Sequence, residues 1–306
     1  MNQLYRALHM PLPRLVKKLT GCKEIYTIAV RPLPTAEGAA PLPALGDAPY
    51  TPLPYTPGVW YADPLLYHRG GERVLFCEAF DMAAHRGDIA VFRFDEHGLP
   101  TQPQVVLQED CHLSFPMVFD WNGGIWMIPE TSENHTLRLY RCVEFPGQWE
   151  CAARFEVGIE LCDAILTEKT DDALTILCSE TRPENQLYVR YRRYTLRRTG
   201  EGFALEEDEA FNLRNREFSL TSRNAGPLFL LDGQTIHPTQ VSTTVDYGVY
   251  LQFFTQRGAS EVPLCAATPT NVTITGLDRA DIIGIHTYCR DDAVEVIDAR
   301  YLKKIE

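Results

Sequence analysis

Three glutamates recur at nearly equal intervals, each at the end of a run rich in β-branched and aromatic residues. Glu78 and Glu130 are 52 residues apart, Glu180 follows 50 residues later, and Gln240 occupies the corresponding point of a fourth unit. Cleavage of a glycosidic bond with inversion needs one carboxylate that activates water and one protonated carboxyl group that donates to the leaving oxygen, about 6.5–9.5 Å apart. Clustered carboxyl groups raise one another's pKa, and this can supply the protonated partner near neutral pH.

Two sets of residues are candidates for a site, one for catalysis and one for ligand contacts. The catalytic candidates are Asp63, Glu130, Asp163 and Glu180. The candidates for contacting a ligand are Glu78, His112, Ser114, Arg223, Asn224, His237, Gln240, Tyr247 and His286. Aromatic rings can stack on a sugar or fill a core, and the rings in question are Trp60, Tyr61, Trp126 and Tyr247.

Each acid also has a structural interpretation. Asp63 precedes Pro64 and can cap a turn with its side chain. The three glutamates can instead accept hydrogen bonds from the backbone of a neighbouring unit, in the same way in each unit. Because a catalytic acid is needed only once, the regular spacing favours this structural role for one or two of them. The histidines are widely separated and lack metal-binding spacing, so neither a metal nor another cofactor is expected.

The elements that must position these residues are short strands. Runs of Val, Ile, Phe, Tyr and Leu, separated by Gly, Asn, Asp or Pro, recur in groups of four with a period of about 40–50 residues, which is typical of a β-propeller. The sequence therefore predicts an all-β, five-bladed β-propeller. The predicted blades are approximately 58–108, 112–157, 160–210, 220–266, and 280–306 together with 24–32.

The last predicted unit has only two strands of its own. The isolated strand EIYTIAVRP (24–32) is predicted to pair with it and close the ring, which removes exposed sheet edges. Residues 1–23 are an N-terminal extension, and 24–306 form a single propeller in this interpretation. The alternative is a β-sandwich or two small β-domains.

The composition limits the classes of partner. The 306 residues carry a formal net charge of −12 and a pI near 5.2, which disfavours nucleic acid and anionic lipid surfaces. The basic stretch VRYRRYTLRR is predicted to pair with the acidic run at 206–209 on a solvated blade edge. No apolar run approaches the roughly 20 residues of a membrane helix, and the nine cysteines lack C-x-x-C spacing. A cytoplasmic protein without membrane insertion is expected.

Several motifs resemble a known family. The stretches WYADPLLY, GERVLFCEAF, RGDIAVFRFDEHGLP and HLSFPMVFDWNGGIWMIPETSENHTLRLYRCVEFPGQWE are similar to a five-bladed domain at the N-terminus of plant glucosamine inositolphosphorylceramide transferases. In bacteria, related domains accompany formyltransferase-like or glycosyltransferase domains of polysaccharide pathways. The resemblance is strong over 58–160 and traceable to GIHTYCRDDAVEVIDAR near the end.

More distantly, the Ala-Asp-Pro element resembles the first-blade motif of the family 43 glycoside hydrolase superfamily. This resemblance implies that Asp63 is a general base. It also implies that Asp163 is the second, orienting aspartate, although Asp163 lacks the proline that follows it in the family. The general acid has no secure match, and Glu130 and Glu180 both remain candidates.

Two functions are open at this point. The first is a carbohydrate-active, glycosidase-like protein that uses carboxylates in the central pocket on an unknown glycan. The second is a non-catalytic glycan-binding or scaffold domain that supports a glycosyltransferase or another polysaccharide-pathway enzyme. The fusions of related domains to transferases favour the second, whereas a propeller without a fused partner is expected to act on its own, which favours the first.

Overall fold

The computed structural model describes residues 9–33, 48–95, 98–200, 202–257 and 260–304. Within these residues, 22 β-strands form five antiparallel sheets. The predicted five-bladed β-propeller is confirmed. Residues 1–8 of the predicted N-terminal extension, the stretch 34–47 and the last two residues of the fifth blade lie outside the described residues.

The first three blades each contain four strands in sequential order. Blade 1 consists of β3 (Val59–Arg69), β4 (Glu72–Asp81), β5 (Arg86–Arg93) and β6 (Gln104–Leu107). Blade 2 consists of β7 (Ser114–Trp121), β8 (Gly124–Glu130), β9 (Thr136–Glu144) and β10 (Gln148–Glu156). Blade 3 consists of β11 (Leu161–Lys169), β12 (Ala173–Arg182), β13 (Asn185–Thr199) and β14 (Gly202–Glu207).

The innermost strand is divided in the last two blades. Blade 4 consists of β15 (Arg223–Asn224), β16 (Phe229–Leu231), β17 (Gln234–Val241), β18 (Tyr250–Arg257) and β19 (Ser260–Ala267). Blade 5 consists of β20 (Ile282–Gly284), β21 (Tyr288–Arg290), β22 (Val294–Lys304), β1 (Cys22–Pro32) and β2 (Thr51–Pro52). β1 pairs with β22 along its whole length, from Cys22 opposite Lys304 to Pro32 opposite Val294. The N-terminal strand therefore lies in the last blade.

Apolar side chains fill the spaces between neighbouring sheets. One buried cluster spans blades 1, 2 and 3, a second joins blades 4 and 5, and a third joins blades 5 and 1 through residues such as Ile28 and Leu75. Cys77 and Cys178 are fully buried and serve as small hydrophobic residues in these layers. Strands that are covered on both faces read as nearly continuous apolar runs, which is why the sequence shows the strands so clearly.

Blades 4 and 5 approach so closely that one position requires glycine. Tyr288 donates a backbone hydrogen bond to the Ala225 carbonyl at 2.7 Å. Gly226 has a φ of +140°, and a Cβ atom at this position would lie 1.9 Å from the Tyr288 carbonyl oxygen. A residue with a side chain would therefore separate the two blades.

Two α-helices within the described residues flank the strands. The first, Leu12–Leu19, lies against the propeller through the buried Arg14, which bonds Glu24 at 2.8 Å and Asp246 at 2.6 Å. The second, Glu209–Arg214, follows blade 3 and is capped at its N-terminus by Asp208, whose side chain accepts a hydrogen bond from the Phe211 amide. Among the described residues, no helix combines the length and apolar character that crossing a bilayer requires.

The basic stretch in β13 has the predicted partners. Arg192, Arg193 and Arg197 form ion pairs with acids of the following run, namely Glu207, Asp208 and Glu206. The arginines therefore neutralise a neighbouring strand of the same blade.

Candidate functional site

The innermost strands of blades 1, 2 and 3 share one irregularity that shapes the centre of the molecule. Their register with the second strand shifts by one residue after Ala62, Ser114 and Cys162. The residues that follow, Asp63, Phe115 and Asp163, have φ values of +52°, +42° and +50°. Such bulges change the direction of a side chain, and left-handed backbone at non-glycine residues is uncommon and strained.

Asp63 is buried and accepts hydrogen bonds from two other blades. Its Oδ1 atom accepts a bond from the Thr287 hydroxyl at 2.9 Å, and its Oδ2 atom accepts one from the Phe115 amide at 3.3 Å. His286 Nε2 lies 3.4 Å from Oδ1. Burial raises the pKa of Asp63, whereas His286 and the Thr287 hydroxyl act in the opposite direction. Residues 223 positions apart in the sequence therefore meet at this aspartate.

Asp298 is an acid of this centre that the sequence did not reveal. Its Oδ1 atom bonds His286 Nδ1 at 2.7 Å and accepts from the Thr287 amide at 2.9 Å, while Oδ2 accepts from the Asp63 amide at 3.0 Å. Burial raises the pKa of Asp298, but His286 and the backbone donors hold it below its usual value. Burial lowers the pKa of His286, but Asp298, Asp63 and Asp163 together raise it, so this pKa lies above its ordinary value. The two residues form a buried ion pair.

Asp163 faces an arginine from the next blade. Arg223 Nε lies 2.5 Å from Asp163 Oδ2, and the Gln240 amide nitrogen lies 3.5 Å from the same oxygen. Burial raises the pKa of Asp163 to about 8, although Arg223 opposes the change. Arg223 also reaches towards blade 2, because its Nη2 atom is 3.9 Å from Glu130 Oε2.

Glu130 has the structural role predicted as an alternative to catalysis, because it accepts a hydrogen bond from the backbone of the neighbouring blade. Its Oε2 atom accepts a hydrogen bond from the Asp163 amide at 3.2 Å, and its Oε1 atom accepts one from the Ser132 hydroxyl at 2.7 Å. Ser179 makes the equivalent bond to blade 4, since its hydroxyl accepts from the Asn224 amide at 3.1 Å. The side chains at this position of blades 2 and 3 thus fix the backbone of the following blade.

Glu180 does not lie with the other acids, and its assignment to the same position as Glu78 and Glu130 is wrong. Glu78 pairs with Ala62 and Glu130 with Ser114, but the residue that pairs with Cys162 is Ser179. Because side chains alternate along a strand, a shift of one residue turns Glu180 to the opposite face. There it forms two bonds of 2.7 Å with Arg190.

Glu78 keeps the central position but makes no hydrogen bond to the backbone of the next blade. Its Oε1 atom is buried without a hydrogen-bond partner among the described residues, and His112 Nε2 is 3.3 Å away. Burial and the neighbouring carboxyl groups raise the pKa of Glu78 well above its usual value. Those neighbours are Asp63, Glu130, Asp298 and Asp163. Burial and repulsion by these neighbours both favour the protonated form of this carboxyl group.

The remaining predicted residues surround the acids in two groups, one in blade 2 and one in blade 4. His112 accepts a hydrogen bond from the Gly87 amide through Nδ1 at 3.0 Å, and Ser114 is buried opposite Glu130. Asn224 donates to the Asp163 carbonyl at 2.7 Å, and its own carbonyl oxygen bonds His237 Nε2 at 2.9 Å. His237 therefore acts on the centre only through Asn224.

An arc of rings surrounds the acids on one side. We call the following residues the aromatic arc: Tyr247, His286, Tyr26, Trp60, Phe80 and His112. Successive ring centroids in the aromatic arc are 4.4–5.9 Å apart. All of its members except His286 are partly exposed, as expected for rings at the lip of a pocket. Tyr61 and Trp126, in contrast, belong to the core.

A cavity of about 530 Å³ opens beside the arc. It is lined by Arg223 and Tyr247 and by the turn between β12 and β13, residues 183–187. The guanidinium group of Arg223 lies 4.8 Å from the Tyr247 ring centroid. A ligand in this cavity would therefore contact the same arginine that holds Asp163.

Three residues of the centre have the geometry of a metal site. One ligand atom from each of Asp63, His286 and Asp298 lies within 4.8 Å of the others. In the structure the histidine is hydrogen-bonded to Asp298, and its Nε2 atom lies 3.4 Å from Asp63 Oδ1. A protonated imidazole has no free lone pair, so the ion pair and metal ligation are alternatives at this position.

Several residues of the centre escaped the sequence analysis. Asp298, Tyr26, Thr287 and Phe115 all contribute, and each lies in a run whose apolar pattern alone predicts a strand. The signal that was available for Asp298 is an acid within the apolar run AVEVIDARYL, where an unpaired charge would be costly. For Phe115 no residue type indicates the left-handed conformation.

A five-bladed β-propeller with carboxyl groups from several blades at its centre is the class of protein that the fold and geometry define. The fold is similar to that of the catalytic domain of a Coprinopsis cinerea GH62 α-L-arabinofuranosidase, with a TM-score of 0.51 and 11% identity over 78% of this chain and 90% of that chain. A thermostable family-43 glycoside hydrolase gives a TM-score of 0.51 and 9% identity over 80% of this chain and 88% of that chain. At such low identity the likeness concerns the fold alone.

The family follows from the sequence match. Residues 49–261 match the family model described as glucosamine inositolphosphorylceramide transferase 1, N-terminal, and the chain belongs to this family. The Arabidopsis thaliana glucosamine inositolphosphorylceramide transferase 1 is 41% identical over 95 residues, covering 31% of this chain and 12% of the relative. The Oryza sativa subsp. indica protein of the same name is 30% identical over 190 residues, covering 60% of this chain and 24% of the relative. The chain thus spans a quarter or less of these relatives.

Proposed function

We propose that this protein acts on a glycan at the propeller centre as a glycoside hydrolase-type enzyme. The observation that supports this best is the meeting of five carboxyl groups from four blades beside the aromatic arc. They are Asp63, Glu78, Glu130, Asp163 and Asp298. Rings offer stacking surfaces for sugars, and cavities of about 300–1,000 Å³ are typical of small-ligand sites.

Asp63 is the general base in this proposal. Its carboxylate form is favoured by the Phe115 amide, the Thr287 hydroxyl and the protonated His286, which donate to it or lie beside it. Asp63 takes a proton from the water that attacks the anomeric carbon. The Asp298–His286 pair is a positioning device, because Asp298 also fixes the Asp63 amide.

Glu78 is the general acid, a role for which the sequence favoured Glu130 or Glu180. It is the acid of the cluster with an unpartnered oxygen, and its pKa is raised well above the usual value by burial and by Asp63. It gives its proton to the leaving oxygen as the glycosidic bond breaks. Glu130 and Asp163 hold Arg223 in place, and Arg223 binds sugar hydroxyls at the cavity.

A non-catalytic glycan-binding or scaffold domain is the second candidate. The observation in its favour is that most of the central acids already make hydrogen bonds or ion pairs within the protein. Glu130 bonds the backbone of blade 3, Asp298 bonds that of blade 1, and Asp163 is neutralised by Arg223. In this case the partner is a glycosyltransferase or another polysaccharide-pathway enzyme, in keeping with the transferases that the chain resembles.

The two candidates are separated by measuring both binding and turnover of glycan fragments. The enzyme hypothesis expects release of reducing ends by the wild type, and loss of release with retained binding in Asp63→Asn and Glu78→Gln. Glu180→Gln is the matched control, because it changes a buried carboxylate outside the cluster. Binding without turnover in the wild type, unaffected by Asp63→Asn, would favour the binding domain.

The cytoplasmic location expected from the sequence stays a prediction. All nine cysteines are unpaired in the structure, as in proteins kept in reducing compartments. Localisation of the tagged full chain by microscopy or fractionation would test it.

A further inference from the structure

A second cavity lies between blades 3 and 4. Its volume is about 760 Å³, and residues of β11, β12, β13, the helix Glu209–Arg214 and strands β17 to β19 line it. It shares no lining residue with the central cavity, which is the one beside Arg223 and Tyr247, and none of the five central carboxyl groups lines it. Cavities of about 300–1,000 Å³ are typical of small-ligand sites, so this one is large enough for a short oligosaccharide.

The floor of the second cavity is apolar and aromatic. Tyr191, Phe211 and Leu228 line it and are partly exposed. They pack against a buried cluster that includes Leu177 and Phe115, so their positions are fixed by the core. Partly exposed rings on a rigid support offer a stacking surface for a sugar ring.

The rim of the second cavity carries groups that donate and groups that accept hydrogen bonds. They include Thr167, Thr235, Asn215, Gln256, Arg214 and Glu261. The side chain of Glu261 is 33% exposed, and its Oε1 atom contacts His237 Nδ1 at 2.8 Å and Gln256 Nε2 at 3.2 Å. This carboxylate is therefore accessible to a ligand as well. A sugar hydroxyl both donates and accepts hydrogen bonds and so matches a mixed rim.

The charges of the lining balance. Arg193 is bonded to Asp208 at 2.9 Å, and Glu261 is paired with a histidine. The other charged side chains of the lining are Arg214 and Glu168, one of each sign, and both are exposed. Such a lining gives neither an anion nor a cation a net attraction, so it suits an uncharged ligand.

Asn224 connects the second cavity to the centre. Its side-chain amide donates to the carbonyls of Asp163 at 2.7 Å and Leu177 at 2.9 Å, so its oxygen accepts from His237 Nε2 at 2.9 Å. His237 is 3% exposed, and its other ring nitrogen meets Glu261. A ligand that bonds Glu261 is therefore linked by three side chains to the backbone of a central aspartate. This position gives His237 a place in a binding site.

We propose that the cavity between blades 3 and 4 is a second carbohydrate-binding site, which takes an uncharged oligosaccharide. The sugar ring lies against Tyr191 and Phe211, and its hydroxyl groups bond Arg214 and Glu261. The choice of a sugar rests on the proposed function, whereas the location and the charge preference are new. A glycan long enough to reach both sites would be held at both, which raises its effective concentration at the centre.

The test measures the binding of four uncharged tetrasaccharides to the full chain by isothermal titration calorimetry. They are cellotetraose, xylotetraose, mannotetraose and maltotetraose, and tetragalacturonic acid and a chitosan tetrasaccharide provide the anionic and cationic comparisons. We expect at least one uncharged tetrasaccharide to bind. Its affinity should change little with salt, because the ligand brings no charge to the contact.

Two pairs of variants locate the binding site. Leu228→Trp places a large ring in the second cavity and should abolish this binding, whereas Leu230→Trp changes a leucine that is 73% exposed outside the lining and should retain it. Arg214→Ala removes a charged donor and should weaken binding about tenfold. Arg216→Ala removes an exposed arginine outside the lining and should leave the affinity unchanged. Melting temperatures establish that each variant is folded.

The outcomes separate the inference from the proposed function. Tyr247 lines the central cavity and not the second one, so binding that survives Leu228→Trp and is lost in Tyr247→Ala would place the ligand at the centre. This result would overturn the inference and leave the proposed function standing, as would binding of the charged tetrasaccharides alone. If no oligosaccharide binds and the wild type releases no reducing ends from any of them, the proposed function is overturned together with the inference.

Discussion

Glu78 and Glu130 occupy the same position in neighbouring blades and have different surroundings. Each pairs with the residue before the bulge of its innermost strand. Glu130 bonds the amide at the bulge of the following blade, whereas in blade 1 the side chain of Asp63 makes the corresponding bond, to Phe115. Glu78 is thereby freed from the structural role. The blade repeat places a glutamate at the same point of both blades. The residue at the neighbouring bulge then decides whether that glutamate bonds the next blade, as Glu130 does, or is free for chemistry, as we propose for Glu78.

The largest expected effect concerns Asp63, which bonds the Phe115 amide of blade 2 and is also the proposed general base. Asp63→Asn removes the proposed base while its carbonyl oxygen can still accept the Phe115 bond, so the fold should persist. Loss of acid–base catalysis is expected to lower turnover by about 10²–10⁴-fold with little change in glycan affinity. Steady-state kinetics and calorimetry of the same preparation would check this. Wild-type turnover in the variant would remove Asp63 from the mechanism.

The buried Asp298–His286 ion pair of blade 5, whose aspartate also bonds the Asp63 amide of blade 1, should dominate stability. Asp298→Asn leaves His286 without its charged partner, and breaking such a pair costs about 3–5 kcal/mol of unfolding free energy. The pKa of His286 is raised on folding, so its contribution is lost as the pH rises through the folded value. The pKa of Asp298 is lowered, so its contribution is lost as the pH falls below the unfolded value of about 3.9 towards the folded one.

The cost of Asp298→Asn should therefore be greatest at mildly acidic pH and decline on both sides. Urea unfolding at a series of pH values would measure it. The contact between His68 and Asp291 offers a control, because His68 is 42% exposed and His68→Gln leaves the bonds of Asp291 to Arg73 and to the backbone in place, so about 1 kcal/mol or less is expected. A cost independent of pH would contradict the ion-pair assignment.

Glu130 should behave as a structural acid. Glu130→Ala leaves the Asp163 amide without its acceptor, and an unsatisfied buried donor costs about 1–3 kcal/mol. Glu130→Gln retains an acceptor oxygen and should cost less. Chemical denaturation of the two variants gives the comparison, and equal destabilisation would show that charge rather than the inter-blade bond is what matters at this residue.

Glu78 should show the opposite sign, because its removal relieves a cost instead of creating one. Its folded pKa is raised, so the carboxyl group increasingly destabilises the fold as the pH rises above the unfolded value of about 4.3. Glu78→Gln is therefore expected to stabilise the protein at neutral pH, because the amide keeps the shape of the side chain and cannot ionise. The gain should vanish in acid. A variant less stable than the wild type at neutral pH would contradict the unpartnered state of Glu78.

The propeller was predictable because each blade repeats the same apolar pattern and the same turn residues. The spacing of the glutamates also placed Glu78 and Glu130 correctly on their strands. Glu180 misled the analysis, because one residue in the register of β12 decides which face a side chain takes, and nothing in CSETR indicates that Ser179 replaces it. Asp298 was missed for a related reason, since its partners come from segments 11 to 235 residues away.

The acid roles are equally hard to read from residue types. A pKa depends on burial and on charges supplied by other blades. The raised pKa of Glu78 arises first from burial and then from four carboxyl groups, of which only one, Asp63, shares its blade. The spacing of acidic residues can predict that they lie close together at the centre of the propeller. The bonds that each acid makes are fixed by the bulges, which follow from backbone conformation rather than from sequence pattern.

Infrared difference spectroscopy of Glu78 tests the central claim most directly. A protonated carboxyl group has a carbonyl band that is separate from those of the carboxylate. At neutral pH, the wild type minus Glu78→Gln spectrum should contain the intensity of one such group, and the wild type minus Glu180→Gln spectrum should lack it. If the Glu78 difference spectrum shows only carboxylate bands at neutral pH, this residue is an ordinary ionised acid and the proposed division of roles between Glu78 and Glu130 is wrong.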